Sequence, residues 1–285
     1  MKKIGVLANR KRDVGAVRDE IISYIESKGA VAVAPDGDYD VVDQRFLRAF
    51  MEGEARDCEC LIVLGGDGTL LSVARQAAYF SIPIFGINLG HLGFLSEVDP
   101  GDGLYVAIDR ILRGDFTLEE RMMLYVRVFR GEKLYREYHC LNDCVLTKRL
   151  FEGLVHIDAF VDDKVSLSYN GDGLIVATPT GASGYSLSAG GPLVSPEMEA
   201  MILTPVSAHS LYSRSIVIGA DRDVMLRADK KDGRCVLSID GKTSTLTISE
   251  KDSVRISKSS LKTTFLRLND RSFFHVLNEK LRDRS

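Results

Sequence analysis

The stretch Leu61-Ile62-Val63-Leu64-Gly65-Gly66-Asp67-Gly68-Thr69-Leu70-Leu71 constrains this chain more than any other. A strand of branched apolar residues runs into a glycine turn, and a helix begins at once. Glycines at 65, 66 and 68 let backbone amides crowd an anionic group that a Cβ would block. The helix start adds unpaired N–H groups and the positive end of the helix dipole. Asp67 then stands where phosphates and a hydroxyl can meet, as proton acceptor or as a contact to Mg²⁺. The strand–turn–helix unit fits a parallel α/β layer, and its chemistry points to phosphoryl transfer.

The rest of the first half agrees with such a layer. Strand-like runs occur at Lys3 to Asn9, Ala30 to Ala34, Cys60 to Leu64 and Ile82 to Ile87. Between them, Val14, Val17, Ile21, Tyr24 and Ile25 follow helical spacing, with Gly29 as a stop. Phe46, Leu47, Phe50 and Met51 mark a second helical face, and Leu70, Leu71, Val73, Ala74, Ala77 and Ala78 a third. Tyr105, Ile108, Ile111 and Leu112 mark a fourth, closed by Gly114. Residues 1–117 are therefore predicted to form a Rossmann-like parallel sheet with helices on both faces.

The pattern changes near Glu119. Leu124 to Phe129, Val155 to Ala159, Val165 to Tyr169, Arg234 to Ile239 and Leu246 to Ile256 read as strands. Asp162-Asp163-Lys164 and Asp240-Gly241 are turn signals. Residues 118–264 are predicted to be an antiparallel β domain, interrupted by the small-residue stretch Thr178 to Ser188. In the tail, residues 265–285, a helix from Phe273 is predicted to pack back on the first domain.

Composition narrows the partners. A net charge of −3 leaves no basic footprint for nucleic acid or a membrane surface. No apolar run approaches the ~18 residues of a spanning helix. Met1-Lys2-Lys3 resembles the start of a signal peptide, but Asn9-Arg10-Lys11-Arg12-Asp13 follows after one short strand, so a cytoplasmic protein is expected. Five cysteines suit a reducing compartment. Cys58 and Cys60, and Cys140 and Cys144, lack the usual zinc spacing, and buried thiols are the expectation.

Three further constellations carry polar chemistry. Asn88-Leu89-Gly90-His91-Leu92-Gly93-Phe94-Leu95 follows the next parallel strand, at the sheet edge where open α/β folds bind ligands. Asn88 is placed facing a pocket and Phe94 walling a ring; His91 reads as a loop histidine. Leu141-Asn142-Asp143-Cys144-Val145 puts an amide beside a carboxylate, a pair suited to a sugar diol or an adenine edge. Neighbouring strand residues face opposite ways, so a joint site needs a strand end or a bulge. Asn170-Gly171-Asp172-Gly173 leads through a strand into Thr178-Pro179-Thr180-Gly181-Ala182-Ser183-Gly184-Tyr185-Ser186-Leu187-Ser188-Ala189-Gly190-Gly191-Pro192. That loop lets a planar ligand reach the backbone, with Tyr185 as an aromatic surface.

Together these stretches resemble the NAD kinase family over nearly the whole chain. The Gly-Gly-Asp-Gly-Thr element alone is shared with diacylglycerol and sphingosine kinases; the stretch from Asp172 to Pro192 is far more specific. The resemblance implies an N-terminal α/β domain, a C-terminal β-sandwich, and transfer of a phosphoryl group from ATP, with Mg²⁺ or another divalent cation, to the adenosine 2′-hydroxyl of NAD. It implies that Asp67 is the catalytic acid–base residue, with Gly65, Gly66, Gly68 and Thr69 near the phosphates. Asn88 and Phe94 match a loop beside the NAD pocket, and Asn142 and Asp143 an Asn-Glu pair that binds adenosine. Asp172 matches an acid beside the nucleotide. Thr180, Ser183, Gly184, Tyr185 and Ser188 match the loop around adenine and ribose. No fixed protein ligands for a metal are implied. The resemblance also implies a homodimer or homotetramer whose sites borrow residues from a neighbour, with His209 near that contact.

The chain departs from the pattern in places. Asp143 stands where the family usually has Glu, one methylene longer. Gly181-Ala182-Ser183-Gly184-Tyr185 replaces the commoner Gly-Ser-Thr-Ala-Tyr, and Asn170 stands where many members have Arg or another polar residue. The alternatives are a lipid kinase, for which no basic amphipathic helix is visible, and a nucleotide-sensing module without catalysis.

Overall fold

The computed structural model describes residues 1–9, 15–37, 39–88, 93–98, 103–149, 153–209, 214–228, 235–268 and 273–282. The chain divides into two compact units, Met1–Glu120 with Thr263–Ser285, and Arg121–Lys262. His91, Val14 and Arg234, named above, lie outside the described residues.

In the first unit, strands β1 (Lys3–Ala8), β2 (Val31–Val33), β3 (Cys60–Leu64) and β4 (Ile84–Ile87) are parallel, in the order β2-β1-β3-β4. Phe265, near the end of a strand over Asp252–Arg267, stands parallel opposite Ile84. Four helices intervene: α1 (Gly15–Ser27), α2 (Gln44–Glu52), α3 (Asp67–Phe80) and α4 (Gly103–Arg113). Alternation along β3 and β4 sorts the core into two layers. Ile62, Leu64, Phe85 and Ile87 pack with Ile21 and Ile25 of α1 and Ile108 and Ile111 of α4. Gly86 lies under α3, where a Cβ would stand 2.9 Å from the Leu70 side chain. Helices therefore cover both faces, as predicted. Asp43 caps α2 by accepting the Arg45 and Phe46 N–H groups. The final helix, Phe273–Arg282, belongs to this unit, with the Phe273 ring 6.2 Å from that of Phe94.

The second unit is built from β5 (Thr117–Arg130), β6 (Lys133–Cys140), β7 (Asp143–Lys148), β8 (Val155–Val161), β9 (Lys164–Gly171), β10 (Gly173–Ala177), β11 (Ala200–Val206), β12 (Ile216–Gly219), β13 (Val224–Ala228), β14 (Cys235–Ile239), β15 (Lys242–Ile248) and β16 (Asp252–Arg267). One antiparallel sheet runs β12-β11-β10-β7-β14-β15. The other has β16-β13-β8-β9, with β5 bridging β16 and β6. Cys144, Leu146 and Leu237 of the first sheet share one core with Leu124, Val126, Ile157, Ala159, Leu226 and Val254 of the second. The result is a β-sandwich. Both predicted hairpin turns have two left-handed residues, Asp162 and Asp163 at φ 53 and 59, and Asp240 and Gly241 at φ 50 and 65.

Two sequence expectations are corrected. The strand read over Leu246 to Ile256 is broken, because the Ser249 N–H and hydroxyl both donate to Asp252 at 2.9 Å and form a turn there. The Thr178 to Ser188 break carries a short 3₁₀ turn over Gly181–Ser183 and a four-residue helix, α5 (Tyr185–Ser188). All five cysteines are buried and free. Burial pushes the Cys58 thiol up to about 11 and raises the Cys60 and Cys144 thiols as well, so these three are not ready nucleophiles. Among the described residues no helix is long and apolar enough to cross a membrane.

Candidate active site

Each unit presents one group of the sequence-predicted residues. In the first, β3 delivers the chain to Gly65, and α3 starts at Asp67 with Gly66 as its N-cap. Asp67 is thus the first helical residue and no cap. Its carboxylate is held by the following loop: Phe94 N–H donates to Oδ2 at 3.0 Å and Leu95 N–H to Oδ1 at 3.3 Å. Two bonds leave part of its acceptor capacity unused, since an ionised carboxylate offers about four lone-pair positions. Gly93 permits this approach, because a Cβ there would lie 1.9 Å from Asp67 Oδ1.

The glycines of the motif divide by role. A Cβ at Gly65 would lie 2.7 Å from the Thr69 side chain, so this glycine serves the turn itself. At Gly66 and Gly68 a Cβ would meet nothing within 4 Å, which leaves their backbones open to a ligand. Thr69 is buried, and its hydroxyl accepts a hydrogen bond from Asn9 Nδ2 at 3.0 Å. Sequence reasoning missed Asn9 as a site residue; it ends β1 beside the motif-bearing strand, a position only sheet order reveals. Asn88 is 1% exposed, with its N–H bonded to Val98. Phe94 is half-buried against Phe273. Arg267 fixes the loop from behind, donating to Leu95 O at 3.3 Å and to Glu97 at 2.9 Å while also pairing with Glu119.

In the second unit, Asn142 precedes β7 and Asp143 is its first residue, the strand end that a joint site requires. Asp240, in the β14–β15 turn, accepts the N–H groups of Leu141, Asn142 and Asp143 at 3.1, 2.7 and 3.2 Å. Thr178 completes the cradle: its hydroxyl donates to Leu141 O at 2.6 Å and accepts Gly181 N–H at 3.0 Å. Gly181 sits directly on Asn142, where a Cβ would lie 2.1 Å from the Asn142 carbonyl oxygen. Asn142 Oδ1 and Asp143 Oδ1 are buried without a hydrogen-bond partner. Such orphaned acceptors cost free energy unless a ligand meets them. Burial, with repulsion from Asp240, pushes the Asp143 carboxyl up to about 7.

The loop residues gather around this pair. Thr180 is buried and accepts from Arg121 at 3.3 Å, and Ser183 donates to Thr180 O at 3.2 Å. A Cβ on Gly184 would stand 3.5 Å from Asn142 Nδ2 and 3.3 Å from Gly181 O, so an alanine there needs a shift of a few tenths of an ångström. Tyr185 is 46% exposed, and Ser188 is exposed on the same helical turn.

Asp172 is not brought to this cluster. It precedes β10 whereas Thr178 follows it, so about 20 Å separates them at about 3.3 Å per residue. Asp172 instead pairs with Lys148 at 2.7 Å, and that bond holds its carboxyl below the usual range, with lesser help from Ser207 and His209. His209 is exposed, and its N–H bonds to Asn170 O at 2.9 Å.

Comparison with known proteins bears on what these groups are for. Residues 13–116 match the family model of the ATP-NAD kinase N-terminal domain, and residues 141–268 that of the C-terminal domain. A protein of Thermoanaerobacter sp. named NAD kinase is 36% identical over 290 residues, all of this chain and all of its own. The chain belongs to the ATP-NAD kinase family. An NAD kinase of Heliobacterium modesticaldum is 45% identical over 226 residues, 79% of each chain. In fold, this NAD kinase family chain is similar to yeast NADH kinase complexed with NADH, at a TM-score of 0.84 and 21% identity over 100% of this chain and 89% of that one. It is likewise similar to an Archaeoglobus fulgidus NAD kinase in complex with ATP, at a TM-score of 0.74 and 23% identity over 98% of each.

Proposed function

We propose that this protein is an NAD kinase that transfers the γ-phosphoryl group of ATP to the 2′-hydroxyl of the adenosine ribose of NAD. A bond forms between the 2′-oxygen and the γ-phosphorus, the bond to the β–γ bridging oxygen breaks, and ADP leaves with NADP as product. Asp67 accepts the hydroxyl proton as attack proceeds. The observation that carries this reading is the fixed Asp67 carboxylate beside the open backbones of Gly66 and Gly68. A ribose hydroxyl is a weak acid, so the base need only take the proton late in attack, and a fixed geometry matters most.

Asn142 and Asp143 bind the adenosine part through their unpartnered oxygens. Ser183 and Thr180 shape the loop, and the exposed ring of Tyr185 stacks on the base. Phe94, on the loop that holds Asp67, offers an aromatic face to a ligand at the glycine turn. Magnesium or another divalent cation would neutralise charge on the donor phosphates. Mg²⁺ favours phosphate oxygens and retained waters, so the donor phosphates would hold it and Asp67 stays free as the base. His209 is assigned to a homodimer or homotetramer contact at which one copy completes the site of another, and Asp172, set apart from Asn142, to the nucleotide at that completed site. Light scattering on the purified protein tests that assignment.

The function is tested by incubating the protein with ATP, Mg²⁺ and either NAD or a diacylglycerol or sphingosine acceptor. Formation of NADP with no phosphorylated lipid is the expected result. Phosphorylated lipid alone would transfer the protein to the lipid kinases, and NAD binding without turnover would make it a sensing module.

A further inference from the structure

We propose that Asp240 is the positioning residue that builds the Asn142–Asp143 subsite, its carboxylate gathering three successive backbone N–H groups so that each side chain keeps an oxygen for the dinucleotide. The inference rests on the NAD kinase reading above. Asp240 lies nearly 100 residues along the chain from the pair it serves, and nothing in its own turn calls for an acid, because Asn and Gly also suit a left-handed position.

The geometry makes Asp240 more than a turn residue. Its Oδ2 accepts from Leu141 N–H at 3.1 Å, and its Oδ1 from Asn142 and Asp143 N–H at 2.7 and 3.2 Å. Its own N–H donates back to Asp143 O at 2.9 Å. Asp240 is 7% exposed. Three converging N–H groups need an acceptor with two oxygens and no hydrogens, which an ionised carboxylate is and a carboxamide is not. With both backbone faces of residues 141–143 occupied by Asp240 and Thr178, only the side chains of Asn142 and Asp143 remain to meet a ligand.

Asp240 has a second effect through its charge. Packed against Asp143 are the Asp240 turn, the Cys144 thiol beside it in β7, and Ala177 and Thr178 of the β10 strand end. Among these the charged group acting on Asp143 is Asp240, whose repulsion adds to burial. Asp143 is a full acceptor for a ribose hydroxyl only when ionised. Apparent NAD affinity therefore rises with pH through about 7, and Asp240 helps to set that midpoint. The shorter Asp143, in place of the family's Glu, stays inside the cradle where Asp240 can act on it.

The test measures KM for NAD and for ATP from pH 6 to 9 in the full-length protein and in Asp240→Asn, Asp240→Glu and Asp143→Asn. Asp240→Asn should raise KM for NAD about tenfold at pH 8, change KM for ATP less than twofold, and move the acid-side midpoint to lower pH. Asp240→Glu keeps the charge, so its midpoint should stay in place while KM for NAD rises. An Asp240→Asn protein with the parent midpoint and KM overturns the proposal, as does an equal loss in both KM values and kcat. If Asp240→Asn does not fold, a folded Asp240→Glu with parent KM for NAD overturns it equally. If Asp143→Asn keeps the parent KM and pH profile, the assignment of Asp143 to NAD is what fails instead.

Discussion

Asp143→Asn should make the protein more stable while weakening its hold on NAD. The carboxyl of Asp143 is 4% exposed, has an unpartnered oxygen and faces Asp240. Its pKa rises from an ordinary 3.8 to about 7 in the folded state. The folded chain thus binds this proton more tightly than the unfolded chain does. Its stabilising effect is complete below about pH 4 and is lost as pH rises to about 7. At about 1.4 kcal/mol per tenfold, the loss amounts to about 4 kcal/mol. An asparagine cannot ionise and escapes it. The variant should therefore exceed the parent by about 4 kcal/mol at pH 8, but by only about 2 kcal/mol at pH 5.5, where less of the loss has accrued. Urea unfolding at the two pH values measures both differences, and their inequality reports the titration of this carboxyl together with its repulsion from Asp240. A variant less stable than the parent at pH 8, or a difference independent of pH, would refute the burial argument.

Other positions give sharper local tests. Gly181→Ala puts a Cβ 2.1 Å from the Asn142 carbonyl oxygen, so it should cost more than about 2 kcal/mol in a thermal melt and raise KM for NAD. Gly93→Ala drives a Cβ to 1.9 Å from Asp67 Oδ1, so kcat should fall at least about tenfold with KM for NAD little changed. Arg267→Met removes the ion-pair contact to Glu97, whose side chain is 5% exposed and keeps the Leu268 N–H; an unfolding loss on the order of 3 kcal/mol is expected, with a lower kcat because the loop holding Asp67 is released.

Much of the fold was legible where local chemistry and fold agree. The branched run Cys60–Leu64, the glycine turn and the helix after it read correctly because each signal lies within a few residues. The hairpin at Asp162-Asp163 read correctly for the same reason. Ala200–Val206 escaped notice as a central strand because it is buried on both faces and so lacks alternation, and because Pro205 argues against an interior strand. The candidate site divides along the same line. The Gly-Gly-Asp-Gly-Thr turn and the Asn142–Asp143 pair announce themselves, but the groups that hold them do not. Asp240 read only as a turn signal, and Arg267 reaches the carbonyl of Leu95 across 172 residues. Such partners are set by sheet order, which no window along the sequence contains. Asp172, expected beside the nucleotide, stands at the other end of β10 from Asn142, a separation that strand register sets and motif order does not.

The central claim is that Asp67, fixed by the Phe94 and Leu95 amides, takes the proton from the NAD 2′-hydroxyl. The most direct measurement compares Asp67→Asn with the parent in NADP formation and, on the same preparations, in NAD binding by calorimetry. Asparagine keeps the size and the acceptor oxygen but is far too weak a base. The account predicts that kcat falls by about 10²-fold or more while the NAD dissociation constant moves less than about threefold. Near-parent turnover in the variant would contradict it.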